Sequence, residues 1–301
     1  MGAHLSLGFM LANENFDVWL GNNRGTTWSK KHKTLDPVQE KKHFFDFSFE
    51  EIGLYDLTAT IDYILNVTNM KRLFYVGYSQ GTTSFFLMVA AKPEYNEKVI
   101  MMTALAPVVY LSNVQHLLVS FTKHNLKAIQ EIADRNGVYE IFPHTPLMTT
   151  YADILCHDNT ATQLICSSIL YLIGGYSPNL NKVTYQQELW IKLPFVLFQT
   201  VLPVIYGELP AGTSTKTLFH YIQLALAGTL LIYDLFFGTK FLTEKFQMYD
   251  YGLTANIQRY GHAIPPKFNI SKITTPISLY YGGCDSLSTR PVSILFINSF
   301  I

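Results

Sequence analysis

Apolar positions along this chain recur at two different periods. From Glu51 to Asn66 they fall at Ile52, Leu54, Tyr55, Leu57, Ile61, Tyr63, Ile64 and Leu65, with acids early in the run, which predicts a helix. Leu5–Leu11 reads as another helix, and Asp17-Val18-Trp19-Leu20 as a strand followed by the polar loop Gly21–Gly25. Leu73-Phe74-Tyr75-Val76 predicts a strand and Thr82–Ala91 a helix, with Pro93 marking its end; Met101–Pro107 is the next strand. Strands and helices in alternation predict an α/β fold, a mostly parallel sheet with helices on both faces. Between about Tyr110 and Lys245 the patterns turn long, apolar and helical, without clear strands. That predicts an inserted helical cap over the carboxyl edge of the sheet, where open α/β sheets bind ligands. The alternating pattern returns at Pro276–Tyr281, a strand running into the turn Gly282-Gly283-Cys284-Asp285. The expected organisation is a core from 1–109, a cap from 110–245 and the last part of the core from 246–301.

The chemistry concentrates where one strand gives way to a helix. Gly77-Tyr78-Ser79-Gln80-Gly81 matches G-x-S-x-G. Average glycine and serine usage gives roughly a one-in-ten chance of that pattern in a chain this long, so its position carries the weight. Small residues between a strand and a helix permit a sharp turn that lifts the serine hydroxyl to where a histidine can reach it, making Ser79 a candidate nucleophile. Asp285, at the carboxyl end of a late strand, stands where the order Ser, Asp, His puts the acid.

Composition narrows the partners. The 22 basic and 22 acidic residues balance, which leaves no electrostatic footprint for nucleic acid and no polybasic membrane signal. Hydrophobic residues make up 49% of the chain, ample for a buried core. Cys156, Cys166 and Cys284 allow at most one internal bridge. Cys156 and Cys166 read as buried thiols in preference to a bridge, and a reactive Cys284 has no support. Asn66-Val67-Thr68 and Asn269-Ile270-Ser271 are glycosylation acceptors if the chain enters the secretory pathway. The opening residues lack the basic region and cleavage site of a signal peptide.

A larger set of segments resembles one family. These are Phe16–Gly25 with Trp28-Ser29 and His32, Phe44–Ser48, Glu51–Leu57, Tyr75–Thr83, Ala104–Pro107, Leu155–Asp158, Leu209–Lys216 and Tyr249–Gly252. Together, in that order, the chain is similar to the acid lipases, the family of lysosomal acid lipase, gastric lipase and insect lipases. The resemblance implies an α/β-hydrolase fold with a helical cap, secreted or lysosomal, cleaving neutral lipid esters of the triacylglycerol or cholesteryl ester class. It implies Ser79 as nucleophile, Asp285 as triad acid and the Gln80 backbone N–H as an oxyanion donor. It implies no metal or organic cofactor, no nucleic-acid partner, and interfacial membrane contact through the cap.

The chain also departs from the family's pattern. None of its nine histidines lies in the 16 residues after Asp285, so the triad His is absent at its family position. The His-Gly pair that precedes the first matching segment in the family is missing too, and His4 does not replace it. His262 reads as a solvated loop residue, His32 as a surface residue, and His157 beside Asp158 as a local structural pair. No histidine has metal-ligand spacing. Asp17 and Arg24 read as fixing the loop they flank. The apolar stretches near 190–206 and 226–244 read as buried or interfacial cap segments before membrane spans, because Lys192, Pro194 and Pro203 break the first and Asp234 and Gly238 the second. Two expectations follow: a serine ester hydrolase, or alternatively a catalytically impaired hydrolase-fold protein that retains a lipid-binding cavity.

Overall fold

The computed structural model describes residues 6–111, 114, 122, 125–156, 162, 202–227, 231–233, 240–242 and 245–288. Helix α1 (Leu7–Asn13) and the short α2 (Lys41–Phe44) precede a helical rod of three geometries: α3 (Phe49–Glu51), a π-helical stretch over Ile52–Leu57, and α4 (Thr58–Thr68). Ser48 starts the rod with a capping box, its hydroxyl accepting from the Glu50 N–H while Glu51 accepts from the Ser48 N–H. Asn69, left-handed at φ 55°, stops it.

Strand β1 (Leu73–Tyr78) leads into α5 (Gln80–Ala91), and a 3-10 segment over Pro93–Lys98 leads into β2 (Val99–Leu105). Helix α5 is the centre of the core, with Phe85, Phe86, Leu87, Met88 and Val89 fully buried. Each such side chain contributes about 1.5–3 kcal/mol on removal from water. The π-helical stretch crosses α5 so closely that a Cβ at Gly53 would stand 2.6 Å from the Ser84 carbonyl oxygen.

Past β2 come α6 (Leu126–Arg135), β3 (Glu140–Ile141), α7 (Pro146–Leu155), α8 (Leu202–Glu208), β4 (Thr213–Ser214) and α9 (Thr215–Ala227). Then follow β5 (Leu231–Tyr233), β6 (Lys240–Leu242), α10 (Leu253–Tyr260) and β7 (Ile277–Tyr280). The main sheet of the described residues is parallel throughout, in the order β1-β2-β7, pairing Tyr78 with Leu105 and Leu105 with Tyr280 at its carboxyl end.

Three expectations need correction. Asp17–Leu20 is extended but is not a strand, because no described strand lies beside it to share hydrogen bonds; Phe16 and Trp19 instead pack edge-on against Phe74 and Tyr63. The middle of the chain holds strands as well as helices, β3 pairing antiparallel with β4 and β5 with β6. These runs of two or three residues are too short for alternation to show. Cys156 is disulfide-bonded rather than a thiol, whereas Cys284 is free and exposed. Cys166, the stretch from 190 to 201, residues 228–230, 234–239 and 243–244, and the 292–296 tail lie outside the described residues. Among the described helices none is long and apolar enough to cross a membrane.

Candidate active site

Ser79 stands between β1 and α5 with φ 48° and ψ −111°, a conformation that side-chain-bearing residues avoid. The surroundings hold it there. Its N–H donates to the Leu105 carbonyl at 2.9 Å, extending the β1–β2 ladder one residue past the strand. Its carbonyl accepts from the Thr82 N–H at 2.9 Å and the Thr82 hydroxyl at 2.6 Å. Gly77 lets the helix start this close to the strand. A Cβ there would meet the Gly81 carbonyl carbon and the Tyr75 ring, each at 2.9 Å. The Tyr75 hydroxyl donates to the Gly81 carbonyl at 3.0 Å while its ring stacks on Phe85 at 4.8 Å. Burial pushes that phenol's pKa well up, so it stays a donor. Gln80 is the first residue of α5, and its N–H therefore has no intrahelical acceptor.

Asp285 lies in the turn after β7, half-buried, at the same carboxyl end of the sheet. Its Oδ1 accepts from the N–H groups of Leu287 and Ser288, both at 2.8 Å, which fixes the carboxylate on its turn. The strands bearing Ser79 and Asp285 are separated by β2 alone, a gap of roughly 10 Å at ordinary strand spacing. Ala106, directly after β2, has φ 49° and donates to the Tyr280 carbonyl at 2.7 Å. All three strand ends therefore carry the backbone features that shape the site.

The described histidines lie elsewhere. His32 is exposed, its Nδ1 accepting from the Thr34 and Leu35 N–H groups, and His262 is exposed in the loop after α10. His220 is buried against Ser48 and the Gln247 carbonyl. Among the described residues no histidine hydrogen-bonds Ser79 or Asp285, and no group of three potential ligands could hold a metal. His157 and Asp158 lie outside the described residues. Asp17 and Arg24 do not pair: Asp17 accepts from Trp19 Nε1, and Arg24 binds Asp56 through its backbone N–H, Nε and guanidinium, the last at 2.6 Å. The Arg24–Asp56 pair was hidden because its partners are 32 residues apart on different elements.

A serine strained at a strand-to-helix elbow of a parallel sheet, with an acid after the next strand but one, is the arrangement of the α/β-hydrolase fold, and the α/β hydrolase fold family matches residues 7–145. Lipase 1 of Drosophila melanogaster is 35% identical over 293 residues, covering 95% of this chain and 56% of that protein. Gastric triacylglycerol lipase of Mus musculus is 34% identical over 287 residues, 94% of this chain and 62% of that protein. Lysosomal acid lipase/cholesteryl ester hydrolase of Homo sapiens is 32% identical over 288 residues, 95% of this chain and 62% of that protein. Over nearly its whole length the chain is similar to these acid lipases. It spans between 56% and 62% of the length of these curated relatives.

Proposed function

We propose that this chain carries the catalytic serine of an ester hydrolase acting on neutral lipid esters, the triacylglycerol and cholesteryl ester class in its relatives' names. The observation that carries the reading is Ser79 at φ 48°, held by Thr82, Leu105 and the close approach that Gly77 permits. Ser79 Oγ attacks the ester carbonyl, the Gln80 N–H stabilises the developing oxyanion, and an acyl-enzyme forms as the alcohol leaves. By the resemblance, Asp285 is the acid that orients an imidazole taking the serine proton and passing it to the leaving alcohol, a base that His32, His220 and His262 do not supply where they stand. Hydrolysis by water regenerates the serine, and the reaction needs no cofactor. In this reading 110–245 is the cap, over a core made of 1–109 and 246–301, and the substrate reaches the serine at a lipid interface. Secretion or lysosomal delivery fits the relatives and the exposed sequons at Asn66 and Asn269.

A fluorophosphonate probe tests the reading. Covalent labelling that maps to Ser79 and is lost in Ser79→Ala is the expected result. A folded protein left unlabelled would overturn it and leave a hydrolase fold without turnover.

A further inference from the structure

The ladder still ties Ser79 to Leu105, but its last contact on β7 is at Tyr280, and Asp285 lies in the turn beyond it. One peptide group links Asp285 back to Ser79. The Val108 N–H donates to Thr82 Oγ1 at 3.0 Å, and the Thr82 hydroxyl donates to the Ser79 carbonyl at 2.6 Å. The other end of the same peptide, the Pro107 carbonyl, accepts from the Ser288 hydroxyl at 2.8 Å, and the Ser288 N–H donates to Asp285 Oδ1 at 2.8 Å. The Pro107–Val108 bond is trans, so its C=O and N–H point in opposite directions across a planar unit with no free rotation. Thr82, Val108 and Ser288 are buried, at 0%, 7% and 1% exposure, so water does not compete for these bonds.

We infer that the Pro107–Val108 peptide is a rigid strut setting the Ser79-to-Asp285 distance, with Thr82 and Ser288 as the positioning residues that clamp its two ends. Thr83 secures the strut from behind: its hydroxyl donates to the Val108 carbonyl at 2.5 Å and accepts from the Tyr221 hydroxyl at 3.1 Å. Tyr221 belongs to α9, which returns from the middle of the chain. The consecutive threonines after the G-x-S-x-G motif thus hold both the N–H and the C=O of Val108. An imidazole that must touch both Ser79 and Asp285 tolerates little change in their separation, since a misplacement of about 1 Å costs on the order of 100-fold in rate. The role rests on the proposed hydrolase reading, whereas the strut itself is a structural feature that can be tested without turnover.

The test uses the full chain, its Thr82→Val, Thr82→Ser and Ser288→Ala variants, and the Thr82→Val/Ser288→Ala pair. Fluorophosphonate labelling rates at Ser79 are read beside amide exchange at Val108. Thr82→Val and Ser288→Ala should each slow labelling by about 10-fold or more. Because both act through one strut, the pair should be little slower than the worse single variant. Thr82→Ser should restore the rate, and Val108 exchange should rise in Thr82→Val alone of the two Thr82 variants. Singles that label like the parent, or a pair whose loss is the product of the singles, would overturn the strut's role in catalysis. A folded parent that does not label, with Val108 exchange still controlled by Thr82, would overturn the hydrolase reading and leave the strut standing. Val108 exchange indifferent to Thr82→Val overturns the strut itself. Should Thr82→Val not fold, Ser288→Ala rescued by Ser288→Thr carries the same comparison.

Discussion

His220 and Ser48 are 172 residues apart in sequence, yet His220 Nδ1 lies 3.0 Å from the Ser48 hydroxyl inside the core. The bond fixes the ring's tautomer. Nε2 lies 3.0 Å from the Gln247 carbonyl, which can only accept, so Nε2 carries the hydrogen and Nδ1 accepts from Ser48. Three parts of the chain meet on this imidazole: the start of α3, helix α9 and the segment that leads back to the core. The ring is stacked on Phe49 at 4.0 Å and lies edge-on to Tyr249 at 5.3 Å.

Removing the ring should therefore cost stability rather than chemistry. His220→Ala leaves a cavity and a buried Gln247 carbonyl without a donor, and is expected to cost about 3–5 kcal/mol. Urea unfolding measures it. A loss under about 1 kcal/mol would contradict the clasp, since that is the range of a surface substitution.

The same region makes stability depend on pH through two opposed groups. Burial pushes His220 down to about 3 from 6.5, and burial followed by repulsion from Glu51 pushes Glu50 up to about 6 from 4.5. Unfolded His220 takes up a proton that folded His220 refuses, so stability falls as the pH drops from about 6.5 toward 3. Folded Glu50 keeps a proton that the unfolded carboxyl has lost, so stability falls as the pH rises from 4.5 to about 6. Each slope is about 1.4 kcal/mol per pH unit, and between pH 4.5 and 6 they cancel. Glu50→Gln should expose the histidine slope, losing about 2 kcal/mol more than the parent on going from pH 6 to 4.5. Unfolding curves across that window check it, and superimposable profiles would refute the assignment.

Gly77 is predicted to tolerate no side chain. In Gly77→Ala the new Cβ lies 2.9 Å from both the Gly81 backbone and the Tyr75 ring, so the start of α5 must move away from β1. The expected cost is about 1–3 kcal/mol by thermal melting, with fluorophosphonate labelling of Ser79 lost even at temperatures where the protein stays folded. Gly81→Ala is the control, because its Cβ meets Tyr75 Oη only at 3.6 Å. Equal behaviour of the two variants would refute the argument.

Asn96 places the start of β7. Its Oδ1 accepts from the N–H groups of Thr274 and Thr275 and from the Thr275 hydroxyl, while its Nδ2 donates to the Pro93 and Lys272 carbonyls. Asn96→Ala orphans these groups and should cost about 2–4 kcal/mol. Asn96→Asp keeps the acceptor and should cost less. Hydrogen exchange of the Thr275 amide discriminates between them: fast in Asn96→Ala, slow in Asn96→Asp.

Much of the framework was legible in the residues. The apolar runs at Leu73–Val76, Met101–Pro107 and Pro276–Tyr281 fall on the three parallel strands, the second of which is Val99–Leu105, and the period in Glu51–Asn66 is the α3-to-α4 rod. These elements declare themselves because hydrophobic spacing is a local property. Asp17–Leu20 misled because a strand also needs a partner, which no local pattern supplies. The G-x-S-x-G pattern pointed to Ser79, and turn position to Asp285, because glycine and acid placement at strand ends is local as well.

By itself, then, the sequence determined most of the core elements and the parallel character of their sheet, and it nominated Ser79 and Asp285 for the chemistry. Only the tertiary structure decided what holds those residues: Thr82 and Ser288 on opposite ends of one peptide, Arg24 with Asp56, His220 on Ser48 and Gln247, and Asn96 under β7. Most of these contacts join residues far apart in the chain, and their energy depends on burial. A spacing pattern carries neither the distance between such partners nor the exclusion of water that makes the contact count.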